Sequence, residues 1–379
     1  MRSSLAGACL AACAGLFPAL PGAAIAANAA PGGGASPTAP SGPAVVLARA
    51  ARPAALPERA SLLSVARAGG RLVAVGEHGV VALSDDNGAT WRNARSVPVD
   101  VTLTVVRFAS QKTGWAVGHV GVVLRTDDGG ETWVKQMDGL AAASLPLADG
   151  AAAGVGEAPD RPLLELLVSS ERHIVAVGAY NLAIESKDGG ATWRNIAAQF
   201  PNSGGFHLYG LAVAGDGLMA VGEQGLLLKS AAAGAPLSAV AFPYKGSLFG
   251  AIALAPATGA ATGPESMLVY GLKGNAYLSN DGGASWQAAD VGDSKATFNC
   301  ALRLRDGRVA LCNQAGRVFV SDDGGKRFAR LDFEWGAPLT AMAESANGDL
   351  LVASLGGMAK INKDKLAPAA RGNGGGNGR

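Results

Sequence analysis

The chain has 379 residues, 49% of them hydrophobic and 16% charged, enough to bury a large core. A formal net charge of +2 excludes the broad basic footprint of a nucleic-acid-binding protein. Fifty-four glycines point to an architecture made of many tight turns.

Residues 1–29 read as a secretory signal. Arg2 supplies the positive start, "LAGACLAACAGLFPAL" (5–20) the apolar stretch, and Ala26 or Ala29 a small-residue cleavage site. This predicts a periplasmic or secreted protein that is soluble after cleavage. "LAAC" (10–13) offers a rival, lipid attachment through Cys13, but the apolar run before it is short. No later stretch approaches ~18 continuous apolar residues, the length a membrane helix needs. Residues 30–43 have the composition of a flexible linker, and the Gly-rich 367–379 that of a disordered tail.

Between them, over 44–366, one unit recurs. An apolar run is followed by a second, then a tight Gly-x-x-Gly turn, then a third, and then an eight-residue phrase. The phrase reads "SDDNGATW" (84–91), "TDDGGETW" (126–133), "SKDGGATW" (186–193), "SNDGGASW" (279–286) and "SDDGGKRF" (321–328). Trp91 to Trp133 is 42 residues, and so is Trp286 to Phe328. The 93 residues from Trp193 to Trp286 hide a worn copy at 217–236, "GLMAVGEQGLLLKSAAAGAP", and another worn copy closes the chain at 350–365. Seven units of about 42 residues, each with four short strands and no helical period, predict an all-β fold: a seven-bladed β-propeller of four-stranded blades. The last unit lacks a fourth strand and "AVVLARA" (44–50) lacks a blade. The N-terminal segment is therefore expected to pair into blade seven and close the ring.

Within the phrase, the aspartates Asp86, Asp128, Asp188, Asp281 and Asp323 suit backbone N–H groups of a turn. The glycine permits positive φ. The aromatics Trp91, Trp133, Trp193, Trp286 and Phe328 suit a wedge between blades. The phrase resembles the Asp box, or BNR repeat, of sialidase-like propellers, where the boxes lie at the periphery. The wider unit, "GWAVGHVGVVLRTDDGGETW", resembles the repeat of the photosystem II stability and assembly factors. That resemblance covers nearly all of 44–365. It implies a secreted or lumenal seven-bladed propeller that assists a membrane or envelope protein complex without catalysis. Its photosynthetic duty is implied less directly, because this chain adds alanine-rich insertions at 139–161 and 255–266 and carries two worn units.

Two other classes compete. A sialidase-like glycoside hydrolase needs clustered arginines, and Arg67, Arg107 and Arg303 lie near the ends of the expected innermost strands. No acidic residue stands beside them in a recognisable motif. A small-ligand-binding propeller is the third reading. No metal site is expected: His78, His119, His173 and His207 lack ligand spacing, and the acidic phrases lack the closing Glu of a calcium loop. No cofactor, nucleic acid or small-molecule substrate is called for. The turns between the second and third strands expose His78, His119, Tyr180, Gln224, Lys273 and Gln314, candidates for a binding face. Cys300 and Cys312 flank a hairpin. A two-residue turn at Asp306-Gly307 places them on opposite faces, and a three-residue turn brings them face to face for a disulfide.

Overall fold

The computed structural model describes residues 43–145, 160–232, 234–254 and 266–366. The expected signal, nearly all of the linker, most of both insertions and the tail lie outside the described residues. Seven antiparallel sheets follow one another along the chain, six of four strands and a last one of three, each laid out in sequence order. In blade one the strands are Leu62–Ala68, Arg71–Gly76, Val81–Ser84 and Arg92–Asn93. The first strands of the other blades are Leu103–Phe108, Leu163–Val168, Leu208–Ala214, Leu248–Leu254, Phe298–Arg303 and Leu339–Glu344. These seven neighbour one another around the axis, and the last touches the first.

A blade has no core of its own. Both faces of its middle strands are apolar, so each must be covered by another blade. The buried side chains accordingly fall into seven layers, one between each pair of neighbouring blades. Val73, Val75 and Leu83 of blade one meet Val106, Ala116 and Leu124 of blade two in the first of them.

The glycine that ends the second strand of blades one to five, after Val in the first four and after Tyr270 in the fifth, has a steric cause. A Cβ on Gly76, Gly118, Gly178, Gly222 or Gly271 would lie 2.0–2.3 Å from the carbonyl oxygen just before the first strand of the same blade. Their backbone is extended, so close approach and not φ demands glycine there. The next residue's N–H donates to that same carbonyl in every blade, from Glu77 to Ser61 through Leu355 to Pro338. Opposite each such residue the first strand carries a register shift, a bulge that aims one extra side chain at the axis.

Ring closure differs from expectation. Residues 44–50 add no strand. Pro43–Ala48 is a short helix, with Leu47 buried against Val97, Val99 and Val101 beside blades one and two. Val46 O accepts the Asp100 N–H, and Arg49 pairs with Asp100 at 2.5 Å. The flank of blade seven's outer strand, Gly357–Ile361, is instead met by the turn Pro57–Arg59. A Cβ on Gly357 would lie 2.5 Å from Glu58 O. Pro57 lacks the N–H a ladder needs, so the turn packs without pairing. The ring is joined at the axis, where Thr340 Oγ1 donates to Leu62 O at 2.8 Å across the ends of the chain. Thr104 to Leu163 O and Asn299 to Leu339 O repeat that bond between other blades.

Candidate functional site: the boxes, the rim and the central channel

The five boxes share one hydrogen-bond plan. In blade three Ser186 Oγ donates to Asp188 Oδ1 and accepts from Gly190 N. The Thr192 N–H reaches Oδ1 at 2.8 Å, and its hydroxyl reaches Oδ2 at 2.5 Å. Asp86, Asp128 and Asp281 repeat every bond, and Asp323 repeats all but the hydroxyl, because Arg327 stands where Thr or Ser stands elsewhere. The Thr192 hydroxyl and N–H hold the Asp188 carboxyl down at about 2, and Thr90 does the same for Asp86. Each aromatic enters the layer between its own blade and the preceding one: Trp91, Trp133, Trp193, Trp286 and Phe328. In three boxes a cation of the preceding blade caps the first glycine's carbonyl: Arg71 on Gly129, Arg125 on Gly189, Lys229 on Gly282. None of these side chains reaches the axis.

The axis holds a cavity of about 670 Å³. At one end the bulged residues line it, among them Leu63, Leu164, Tyr209 and Phe249. Arg67, Arg305 and Glu344 line the other end. Midway, Arg107 Nη2 donates to Glu165 Oε1 at 2.9 Å, and the Leu166 N–H reaches the same oxygen at 2.8 Å. Burial pushes the Glu165 carboxyl above its ordinary range, against the pull of Arg107. Tyr270 joins from the second strand of blade five. Its hydroxyl occupies the space a Cβ on Gly250 would take, 2.1 Å away, so a glycine in the inner wall admits a side chain from behind it. Burial, then the nearby Glu165, raises the Tyr270 hydroxyl far above its usual value. Cys300 and Cys312 are directly opposed and form a disulfide, with Cys300 on the channel wall. Their hairpin closes through Leu304 N to Arg308 O, which is the three-residue turn of the two alternatives.

The candidate rim residues fall into two rings. His78, Tyr180, Gln224 and Lys273 occupy one place in their blades, all with φ of 53–59° and all exposed. Val120, not His119, is their counterpart in blade two. His119 and Gln314 sit one residue earlier, at the position of Glu77, where the N–H is tied to the carbonyl before the first strand. His119 faces the channel, and burial lowers its affinity for a proton. Tyr180 is the most elaborately supported. The His207 ring lies 4.5 Å from it, and the Arg161 guanidinium 5.6 Å over it. From His207 the aromatics continue to Tyr209 and on to Phe249, 5.1 Å further, into the mouth. Of the three arginines considered for a hydrolase, Arg67 and Arg107 line the channel, and Arg303 is exposed outside it.

Sequence reasoning passed over Glu165, read Glu77 only as a hairpin-turn residue beside His78, and counted Tyr270 only among the five tyrosines a hydrolase could draw on. Glu165 left a signal: it is the acid inside the apolar run "PLLELLVSS" (162–170). Nothing in the sequence placed Tyr270 in the channel, because its entry depends on facing Gly250 in register.

Comparison with known proteins adds a family. A model described as photosynthesis system II assembly factor YCF48 matches residues 159–369, over half the chain. The chain belongs to the YCF48 assembly-factor family. Solved YCF48 structures share its fold. One, described as YCF48 bound to D1 peptide, is 17% identical with a TM-score of 0.59 and covers 82% of this chain and 96% of its own. YCF48 from Cyanidioschyzon merolae is 16% identical with a TM-score of 0.62, covering 83% and 99%. The WD40 propeller domain of Doa1 is 12% identical with a TM-score of 0.57, covering 85% and 98%. The chain matches none of the curated proteins.

Proposed function

We propose that this YCF48-family propeller is exported to the periplasm. There it serves as a non-catalytic assembly or stability factor for a membrane or envelope protein complex, holding a segment of the client on the face around the channel mouth. The observation that carries this reading is the rim. Fixed turns present side chains that differ from blade to blade, and Tyr180 stands exposed in left-handed backbone, braced by His207 and Arg161. A bulky residue in that conformation is costly, and such strain clusters at sites of recognition. A rigid aromatic with a polar tip is also the commonest kind of interface anchor. A structure of a YCF48 protein holding a D1 peptide supports a membrane-protein client.

Affinity capture from the native envelope, followed by mass spectrometry, tests this reading. A membrane or envelope protein is expected to copurify with the intact chain and to fall about tenfold with Tyr180→Ala, the loss typical of one interface anchor. Equal recovery with and without Tyr180 overturns the assignment of the face. Turnover of a fluorogenic glycoside that disappears with Glu165→Gln overturns the non-catalytic reading.

A further inference from the structure

Glu165 is an expensive residue to place on the axis of a propeller. Its counterparts on the other first strands are Ser64, Val105, Gly210, Gly250, Cys300 and Ala341. Blade packing therefore does not require a carboxylate there, and burying one is unfavourable unless it is well paired. The pairing is half complete. Oε1 takes both Arg107 and the Leu166 N–H, whereas no donor among the described residues reaches Oε2. The side chain is 17% exposed, and that exposure is to the cavity. Arg107 is itself occupied, donating to Val106 O and Ser64 Oγ as well.

Among the described residues that line the half of the channel near the mouth, two carboxylates, Glu77 and Glu165, stand with one arginine, Arg107. His119 does not redress the balance, since burial favours its neutral form. At the opposite end Arg305 and Glu344 neutralise each other at 3.1 Å. Above Glu165 the wall is apolar and aromatic: Leu63, Leu164, Tyr209 and Phe249. An aliphatic sleeve with aromatic faces and a half-paired carboxyl oxygen at its floor suits a cation on a hydrocarbon stem.

We propose that the channel mouth is a binding site for an alkylammonium group, with the stem between Leu63, Leu164, Tyr209 and Phe249 and the ammonium donating to Glu165 Oε2. Glu77 adds attraction at the entrance. The same chemistry has two sources, a lysine side chain on a polypeptide or a free aliphatic amine. The site does not depend on the assembly role, because it is defined by the channel wall alone.

The test is ligand-observed saturation-transfer NMR on the purified mature protein, titrated with n-butylammonium and with its neutral isostere n-butanol. The ammonium is expected to bind at least about tenfold more tightly, the scale of one charge-assisted hydrogen bond. Glu165→Gln should remove most of that difference and Glu344→Gln none of it. Equal binding of the two probes, or full ammonium binding by Glu165→Gln, overturns the site. Should Glu165→Gln fail to fold by thermal melting, Glu77→Gln and Phe249→Leu decide instead. Each is expected to weaken the ammonium several-fold, and no loss in either overturns the proposal. Competition assigns the source. Displacement of butylammonium by both Nα-acetyl-lysine amide and a lysine-bearing peptide points to a polypeptide, and displacement by spermidine but not by the peptide points to a free amine. Either result sustains the ammonium site, and no displacement by any of the three overturns it. None of these measurements requires the client, so a failed envelope capture leaves them readable.

Discussion

Asp188 shows how one carboxylate organises a blade corner. It accepts from the hydroxyl and N–H of Thr192 and the hydroxyl of Ser186, and these bonds favour its ionised form, with a folded value of about 2 against 3.8. A lowered folded value means that the unfolded chain binds more protons in this window. The stabilisation is therefore complete above about pH 4 and is lost as pH falls through about 2. Asp188→Asn is expected to lower the denaturant midpoint at pH 7 and to flatten its dependence on pH between about 4 and 2, measured by urea melts across that range. An unchanged slope would show that the corner is held by packing alone. The glycines make a steric argument at the same scale. Gly178→Ala pushes a methyl to 2.0 Å from Pro162 O. That backbone has no flexible end to yield, so a loss of about 2–3 kcal/mol is expected in the same melts. The box and its wedge were legible in the sequence because five copies repeat both. The strand-ending glycine was visible as a repeat, but its cause was not. Its extended φ resembles any strand residue, and only the facing carbonyl explains it.

At the scale of strands and turns, register decided what the sequence left open. Cys300 and Cys312 face each other because the hairpin spends three residues in its turn. With two residues, Cys300 would face Asn313 and the sulfurs would lie apart. The bridge closes a loop of 12 residues within one hairpin, so its removal by Cys300→Ser with Cys312→Ser is expected to cost about 3 kcal/mol by the loop-entropy relation. Thermal melts of the double variant against the parent under oxidising conditions check this, with reduced parent as the matching control. No difference would place the stabilisation in the surrounding layer of Leu304, Ala310 and Val318. Register also separates the two rim rings. Counting letters places His119 and Gln314 with Tyr180. The bond from the residue after the strand-ending glycine to the carbonyl before the first strand places them one step inward. For His119 that one-residue difference exchanges a solvent-facing side chain for a channel-facing one. For that reason the outer rim was half legible, and the channel site around Glu165 was not.

For the whole molecule the number of blades was legible and the manner of closure was not. Spacing counts units, but it does not say which segment covers the last edge. The run 44–50 is apolar enough for a strand, yet its burial is met elsewhere, by Leu47 against Val97, Val99 and Val101. Closure instead rests on contacts between blades seven and one: Leu62, Val65, Leu72 and Ala74 against Leu351 and Ala353, with Thr340 bonded to Leu62 at the axis. The two schemes predict different behaviour for a chain that begins at Ser61. If an N-terminal strand were the latch, removing it would open blade seven and destroy cooperative folding, since no blade buries its faces alone. With the latch at the axis, the shortened chain keeps seven blades and loses the burial of Leu47 and Pro57 together with the bonds of Val46 and Arg49 to Asp100, of Ala51 to Val97 and of Ala54 to Asn93. Full burial of such side chains contributes about 1.5–3 kcal/mol each. Scanning calorimetry is expected to show one cooperative transition lowered by roughly 10 °C, with the β-sheet circular dichroism retained. Loss of that transition, or its division into two, would mean that the segment before Ser61 closes the ring after all.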